Sequence, residues 1–306
     1  MNVYAIQTTD LVKAYGARLA LDRFSLAVPT GCILGLVGPN GAGKTTWMMT
    51  VAGFLRPKAG KIDLLGEGPF DADVHAGRLT ILPQDSDLPL ASRPLELLTH
   101  FGRLQGLRKQ EARQSARKLL ETLHLGDRLA SPIRTLSHGM RKRVMLAQCF
   151  LGYPEVVLLD EPLSGLDPRE AAHARTFIAS RKLKQTIVIS SHDLHDIEQV
   201  CTHVAYIEKG RVARFGALRE LTRKDTLLRF FLTGDPTDLE ALRQACPGSE
   251  LQYDETRRIL ACSFDGNAQP PEEINAKLLP AILAQTGLLS IERGDSLEKA
   301  YLRDRS

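Results

Sequence analysis

Apolar residues recur along this chain with two different spacings, and the change of spacing divides it into regions. Short runs rich in apolar residues in the first ninety residues predict β-strands at Val3–Ile6, Ser25–Val28, Cys32–Val37, Lys61–Leu65 and Leu79–Leu82. Between residues 94 and 125 the apolar positions follow a helical period among charged residues, which predicts amphipathic helices. The runs Val156–Leu159 and Thr186–Ser190 suit parallel strands that are covered on both faces. This alternation predicts an α/β fold with a parallel sheet and a helical insertion.

Near residue 220 the pattern changes again, which predicts a first domain over residues 1–220 and a smaller domain over residues 221–306. The predicted elements of the second are a strand, a helix, a hairpin of two strands, a helix, a strand and a last helix: Thr226–Thr233, Pro236–Ala245, Glu250–Tyr253 with Arg258–Phe264, Pro271–Gln285, Leu288–Glu292 and Ser296–Arg303. The first six elements follow the order of the ferredoxin-like motif. The sequence therefore predicts a small α+β domain of that kind.

Composition narrows the class of protein. With 43% hydrophobic and 25% charged residues among 306, the chain is expected to fold into ordinary globular domains. Its 40 basic and 36 acidic residues give a net charge of +4, too weak to indicate nucleic-acid binding. The five cysteines are scattered and form no C-x-x-C pair, so neither a zinc site nor a disulfide framework is expected. No signal peptide and no run of about 18 apolar residues is visible, so any membrane attachment is expected through another protein.

Residues 38–45 read Gly-Pro-Asn-Gly-Ala-Gly-Lys-Thr and directly follow an apolar run. The glycines allow successive backbone N–H groups to converge on a phosphate, while the lysine reaches the β- and γ-phosphates and the threonine hydroxyl can ligate Mg²⁺. A plain glycine-rich turn is the alternative, but it needs neither the lysine nor the threonine. The phosphate-binding candidates are Gly38, Asn40, Gly41, Gly43, Lys44, Thr45 and Thr46. The sequence predicts a nucleoside triphosphate site here.

Two acidic residues end the predicted strand Val156–Leu159. Asp160 stands where Mg²⁺ needs a second protein anchor, at the carboxyl end of a strand beside the phosphate-loop strand. Glu161 points differently, one residue later, and can polarise a water for attack on the γ-phosphate. The alternative is a strand followed by an acidic turn. Together with the phosphate loop, the pair indicates Mg²⁺-dependent hydrolysis of the triphosphate.

The segment Leu136-Ser137-His138-Gly139-Met140 precedes an apolar helical run. Ser137 would suit the N-cap of that helix on structural grounds alone. The segment also resembles the signature Leu-Ser-Gly-Gly-Gln of the ATP-binding cassette (ABC) ATPases, with His138 and Met140 at the two positions that differ. In that family the serine and the second glycine contact the γ-phosphate held by a facing subunit, which implies this role for Ser137 and Gly139.

Further segments resemble the family in the same order along residues 3–220. Gln84 resembles the Q-loop glutamine, a Mg²⁺ and water ligand that senses the transmembrane partner. Asp167 resembles the D-loop aspartate, His192 the switch histidine at the γ-phosphate, and Tyr15 the aromatic residue that stacks on adenine. The resemblance implies a P-loop NTPase fold with a RecA-like parallel sheet, an antiparallel β subdomain and a helical subdomain over about residues 90–150.

The resemblance also implies a mechanism. The phosphate loop and the signature lie on opposite sides of such a fold, so two subunits must pack head to tail around ATP. The expected assembly is a homodimer, or a pair with a similar cassette, that drives a separate transmembrane permease subunit from the cytoplasmic face of the cell membrane. The ending Ser296–Leu302 is similar to that of subunits serving bacterial export-type transporters. The transported substrate is not encoded here.

Two other classes of function remain open at this stage. A soluble ABC ATPase acting on ribosomes or DNA usually carries a second cassette or a long coiled-coil insertion, and this chain has neither. A scaffold that binds ATP without hydrolysing it would not need both Glu161 and His192. Within the transporter class, the apolar loop segment Leu88-Pro89-Leu90-Ala91 predicts a contact with the membrane partner beside Gln84. Packing of Leu88 and Leu90 beneath the helical insertion is the alternative.

Overall fold

A computed structural model of the chain describes residues 3–223, 225–266, 268–297 and 300. They divide into two compact units, residues 1–216 and 217–306. The division falls at the end of a strand, four residues before the boundary expected from the sequence pattern. Each unit has a hydrophobic core of its own and is described separately.

The first unit is built from strands β1 to β9 and helices α1 to α7. The strands are β1 (Tyr4–Tyr15), β2 (Arg18–Pro29), β3 (Ile33–Val37), β4 (Ala59–Leu64), β5 (Leu79–Leu82), β6 (Val156–Asp160), β7 (Thr186–Ser190), β8 (His203–Glu208) and β9 (Arg211–Ala217). The helices are α1 (Lys44–Val51), α2 (Ala72–His75), α3 (Pro94–Leu104), α4 (Lys109–Thr122), α5 (His138–Cys149), α6 (Pro168–Ala179) and α7 (Leu194–Val200).

A six-stranded sheet forms the centre of this unit, in the order β5-β6-β7-β3-β8-β9. The pairs β5/β6, β6/β7, β7/β3 and β3/β8 are parallel. Every residue of β3, β6 and β7 is buried, as their uninterrupted apolar sequences predicted. Parallel pairing brings the carboxyl ends of these strands to one edge of the sheet, and Asp160 at the end of β6 lies opposite Ser190 at the end of β7. The expectation that the strand ending in Asp160 lies beside the phosphate-loop strand is wrong, because β7 is inserted between β6 and β3.

A second, antiparallel sheet has the order β2-β1-β4. Helix α1 shares a core with both sheets, and that core contains Phe24, Leu34 and Trp47. The Trp47 indole donates a hydrogen bond to the Thr8 hydroxyl (3.2 Å), and its ring lies 5.8 Å from the Phe24 ring. This packing fixes the helix that begins at the phosphate loop.

The helical region predicted over residues 94–125 consists of two helices, α3 and α4, followed by α5. Leu95, Leu98, Leu119 and Leu120 are buried, as their spacing predicted. The chain turns between α3 and α4 at Gly106, whose φ of +91° favours glycine. The parallel sheet, the antiparallel subdomain and this helical insertion confirm the predicted fold class.

The second unit begins with the short helix α8 (Leu218–Leu221) and contains a four-stranded antiparallel sheet. Its elements are β10 (Leu227–Leu232), α9 (Leu239–Ala245), β11 (Glu250–Asp254), β12 (Ile259–Ser263), α10 (Pro271–Leu283) and β13 (Leu288–Arg293). The strand order β11-β12-β10-β13 is that of a ferredoxin-like sheet, which confirms the motif predicted from the element order. The predicted last helix, Ser296–Arg303, lies largely outside the described residues. No helix in the described part of the chain is long and apolar enough to cross a bilayer.

Candidate functional site

The phosphate loop joins β3 to α1 and needs glycine for two reasons. Gly43 occupies the N-cap of α1 with φ +114°, a conformation that L side chains rarely adopt. A Cβ atom there would also lie 2.6 Å from the Ala20 carbonyl oxygen, and one at Gly38 would lie 2.2 Å from the Ile207 carbonyl oxygen. Neighbouring backbone therefore approaches the loop too closely for a side chain, and the loop is held in one shape.

Lys44 lies at the start of α1 and is 7% exposed. Its Nζ donates to the carbonyl oxygens of Gly38 (2.7 Å) and Pro39 (3.2 Å). Burial lowers the pKa of this ammonium, while the nearby carboxylates of Glu161 and Asp160 act in the opposite direction. The lysine is thus a desolvated cation held over the loop, where a phosphate would find a strong electrostatic partner.

The two carboxylates after β6 are oriented by Ser190 at the end of β7. The Ser190 hydroxyl donates to Asp160 Oδ1, and its oxygen accepts the backbone N–H of Glu161 (2.9 Å). Asp160 is 3% exposed, and its Oδ2 atom is buried without a hydrogen-bond partner. One oxygen of this carboxylate is therefore fixed within the protein, and the other is free to bind a cation.

Glu161 adopts φ +51°, in the left-handed region, which separates the direction of its side chain from that of Asp160. Its carboxylate is 10% exposed, and Oε2 lies 2.9 Å from Nδ1 of His192. An ionised carboxylate only accepts hydrogen bonds, so the imidazole Nδ1–H donates. The His192 side chain is 66% exposed, so its ring projects from the sheet edge into open space.

These side chains surround one open pocket of about 770 Å³ at the carboxyl edge of the central sheet. Its volume falls within the range of about 300–1,000 Å³ that is typical of small-molecule sites. The predicted site residues that border it are Tyr15, Asn40, Gly41, Gly43, Lys44, Thr45, Thr46, Gln84, Asp160, Glu161 and His192. Of the phosphate-binding candidates, Gly38 alone is absent from this lining, and its carbonyl oxygen accepts a hydrogen bond from Lys44.

Comparisons with known proteins agree with this arrangement. The sequence model of the family described as ABC transporter matches residues 21–164. The Nod factor export ATP-binding protein I of Burkholderia thailandensis is 32% identical over 99% of this chain and 97% of its own length. The protein of the same name from Ralstonia nicotianae is 33% identical over 97% of this chain and 92% of its own. The chain belongs to the ABC transporter family. It is an ABC ATPase subunit and binds ATP.

Solved structures share the fold of this ABC ATPase. The ATP-binding subunit of an ABC transporter superposes with a TM-score of 0.64 at 28% identity, covering 72% of this chain and 92% of that one. A dimeric ATP-binding cassette in a post-hydrolysis state, bound to ADP and phosphate, has a TM-score of 0.63 at 22% identity and covers 70% and 99% of the two chains. The second likeness shows the fold alone.

Three predicted residues of the ABC ATPase lie away from the pocket. Ser137 is the N-cap of α5, where its hydroxyl accepts the N–H of Met140 (3.1 Å). Asp167 is the N-cap of α6 and accepts the N–H of Glu170 (2.9 Å). Within the described residues, neither of them nor Gly139 borders the pocket that contains the phosphate loop. The signature and the phosphate loop of one chain therefore do not meet.

The signature helix α5 is tied to α6 instead. Arg143 is buried, and its guanidinium forms an ion pair with Glu170, with Nε 2.6 Å from Oε2. The same guanidinium donates to the carbonyl oxygen of Leu123 (2.7 Å). Lys142 donates to the carbonyl oxygen of Ser164, a residue that lines the nucleotide pocket. The signature helix is thus connected through hydrogen bonds to the segment that follows Glu161.

Sequence reasoning missed three residues of this site. Arg18 and Ser164 border the pocket, and Arg18 Nη2 donates to the Gly41 carbonyl oxygen (3.4 Å). Ser190 orients both carboxylates from a strand 30 residues away. The one sequence signal for Arg18 was its position three residues after Tyr15, a predicted residue of the same pocket. Nothing local marks Ser190, because its partners are set by the pairing of β6 with β7.

Proposed function

We propose that this ABC ATPase works as a head-to-tail dimer that closes on two ATP molecules and drives a separate transmembrane subunit in export. The observation that supports the dimer is the separation of the signature residues Ser137 and Gly139 from the pocket of their own chain. A signature can contact ATP in such a pocket only if another subunit supplies it. ATP binding then favours the closed dimer, and hydrolysis reopens it.

Within each pocket we assign roles from position and chemistry. Tyr15, a residue that is 52% exposed at the rim, stacks on adenine. Lys44 exchanges the loop carbonyls for the β- and γ-phosphates, and the loop N–H groups bind the same phosphates. Glu161 polarises the attacking water, and His192 holds the Glu161 carboxylate through the 2.9 Å hydrogen bond. Asp167, Ser137 and Gly139 act on the ATP of the facing subunit.

The residues of the pocket fit a Mg²⁺ ion. The unpartnered, buried Oδ2 of Asp160 is the kind of oxygen that a hard cation takes, and the Thr45 hydroxyl and the Gln84 amide oxygen border the same pocket. Among the described residues, no group of three or more His, Cys, Asp or Glu side chains is placed to hold a metal ion, so the remaining ligands would be phosphates and water. When bound, Mg²⁺ neutralises part of the phosphate charge.

The proposals of export and of a contact with a membrane partner are supported by different observations. Relatives that match nearly the full chain are named as ATP-binding proteins of Nod factor export, which supports export. Of the two leucines predicted to contact the partner in the loop after Gln84, only one is accessible. Leu88 is 8% exposed and packs within the protein, whereas Leu90 is 52% exposed. We therefore place the contact with a permease at Leu90, on the cytoplasmic face of the membrane.

The experiment that tests hydrolysis is Glu161→Gln, which keeps the shape of the side chain and removes its charge. We expect ATP turnover to fall by at least about 100-fold, because general-base assistance contributes about 10²–10⁴. Affinity for a fluorescent ATP analogue should stay within a factor of about three. Near-normal turnover in this variant would remove Glu161 from the reaction.

The shared site is tested by comparing Gly139→Asp with Lys44→Ala. A Cβ atom at Gly139 would lie 3.5 Å from side-chain atoms of Leu166 and Glu170 in the same chain. This is an ordinary van der Waals distance, so the variant is expected to fold. In the Glu161→Gln background, light scattering should show an ATP-dependent dimer that Gly139→Asp abolishes while ATP binding persists. Lys44→Ala should abolish both. If Gly139→Asp dimerises normally with ATP, the shared-site proposal fails and the assignment as an ATPase stands.

A further inference from the structure

A second concave site lies in the first unit, between helix α4 and the segment that joins α6 to β7. It encloses about 240 Å³ and shares no lining residue with the nucleotide pocket. Its polar lining comes from Ser115, Lys118, Thr122, Tyr153, Arg181, Lys184 and Gln185. Helix α4 contributes the first three of these residues, and the segment between α6 and β7 contributes the last three.

Three cations border this site, and none of them has an acidic partner among the described residues. Arg143 and Arg175 form ion pairs with Glu170 and Asp196. Lys118, Arg181 and Lys184 form no ion pair within the described residues. Three positive charges therefore converge on one pocket without compensation, a distribution that attracts an anion.

Arg181 packs against two aromatic rings. Its guanidinium stacks over the Phe177 ring at 4.5 Å and lies 5.6 Å from the Phe150 ring. Burial lowers its pKa, although the group stays charged at any ordinary pH. Its Nε atom is buried without a hydrogen-bond partner. A buried N–H without an acceptor is unfavourable, so this guanidinium is short of acceptors among the described residues.

We propose that this pocket binds a phosphate group, either as free phosphate or as a phosphomonoester. Three cations match a dianion better than a single carboxylate, and the planar guanidinium suits paired hydrogen bonds to phosphate oxygens. The volume is below the about 300 Å³ at which typical small-molecule sites begin, so a nucleotide does not fit. The half-buried hydroxyl of Ser115 supplies a further donor beside the cations.

A phosphate here would connect two parts of the first unit. It would tie α4, in the helical insertion, to the end of α6, whose first turn carries Glu170, the ion-pair partner of Arg143 on the signature helix. Binding is thus expected to stiffen the connection between the helical insertion and the central sheet. Because the two pockets share no residue, the ligand should bind whether or not ATP is present.

The test is a calorimetric titration of the full chain with inorganic phosphate, in saturating Mg²⁺ and a non-hydrolysable ATP analogue that fills the phosphate loop. We expect saturable binding at one site per chain. Lys184→Gln and Lys118→Gln should each weaken it at least about tenfold, since a hydrogen bond to a charged group contributes about 1.5–3 kcal/mol. Arg181→Gln should abolish it, with a thermal melt to confirm folding.

Lys182→Gln is the matched control, because Lys182 is exposed, two residues from Lys184, and outside the pocket lining. It removes the same charge and should leave the affinity unchanged. If Lys182→Gln weakens binding as much as Lys184→Gln, the effect is general electrostatics and the site is refuted. Absence of saturable binding to phosphate and to vesicles also refutes it.

The source of the phosphate is distinguished by a second arm, flotation with phosphatidylcholine vesicles with and without phosphatidic acid. Binding to phosphatidic acid that is lost in Lys184→Gln and retained in Lys182→Gln would assign a lipid headgroup. Binding of inorganic phosphate without a vesicle effect would assign a free anion. Both outcomes support the same chemistry in the pocket.

Discussion

Replacement of Ser190 by alanine tests how the two carboxylates are held. Ser190 is completely buried at the end of β7 and serves two partners at once. Its hydroxyl donates to Asp160 Oδ1 and accepts the backbone N–H of Glu161. Alanine leaves both buried groups without these hydrogen bonds and changes little else, because the two side chains differ by one oxygen atom.

The size of the effect follows from the number of partners lost. Each buried group that loses its partner costs about 1–3 kcal/mol, so two groups together give about 3 kcal/mol of lost stability when each is taken near the lower half of that range. A change of 1 kcal/mol shifts Tm by about 2–4 °C in a domain of 150–250 residues, so the shift should be about 6–12 °C. Mg²⁺ and ATP should reduce the shift, because Asp160 then gains a partner.

The catalytic effect should fall on turnover more than on binding. Displacement of Glu161 by about 1 Å can reduce the rate by up to about 100-fold. We expect kcat to fall at least about tenfold in Ser190→Ala while KM for ATP changes by less than about threefold. Steady-state ATPase kinetics and a calorimetric melt measure the two effects.

Thr176→Ala is the matched control. Thr176 carries an exposed hydroxyl that donates to the Ala172 carbonyl oxygen within α6 and does not border the nucleotide pocket. Its removal should leave kcat and Tm nearly unchanged. If Ser190→Ala behaves like Thr176→Ala in both measurements, Ser190 does not hold the carboxylates and the reasoning fails.

Three further predictions follow from the same structure. Arg18→Gln should weaken ATP binding about threefold to tenfold, measured by fluorescence titration, because it removes a cation from the nucleotide pocket; unchanged affinity would contradict this. Arg143→Met should lower the free energy of unfolding in urea by about 3–5 kcal/mol because it leaves Glu170 with no ion-pair partner, and the double variant with Glu170→Met should recover part of the loss. Burial raises the pKa of Cys149 to about 12, so its thiol is neutral at pH 8, and mass spectrometry should find slow alkylation of native protein; fast modification would disprove its burial.

The features that the sequence predicted well are those that local backbone geometry demands. Gly41 and Gly43 adopt φ of +77° and +114°, and the glycines in the sequence already indicate a turn that needs such angles. The apolar strands β3 and β6 could be identified because a strand buried on both faces has no polar position to obscure it. The ferredoxin-like order of the second unit could also be predicted locally. Each of its elements has a characteristic spacing of apolar residues and is followed by a turn.

Strand limits were predicted less well where one face is exposed. The predicted strand Val3–Ile6 is in fact β1 (Tyr4–Tyr15), and Ser25–Val28 is part of β2 (Arg18–Pro29). Both strands mix buried and exposed residues, so a continuous apolar run covers only part of each strand. Strand β8 was not predicted, although four of its six residues are buried.

The chain by itself determined which chemistry is present, because a phosphate loop and an acid pair after a strand need only neighbouring residues. Tertiary structure decided which groups meet. Ser190 reaches Asp160 only through the register of two strands, and Arg18 reaches Gly41 only through the packing of two sheets. Ser137 has the same local role, an N-cap, wherever α5 lies. That it lies away from the phosphate loop of its own chain is a property of the fold, since distance in space is set by packing and not by the residues on either side.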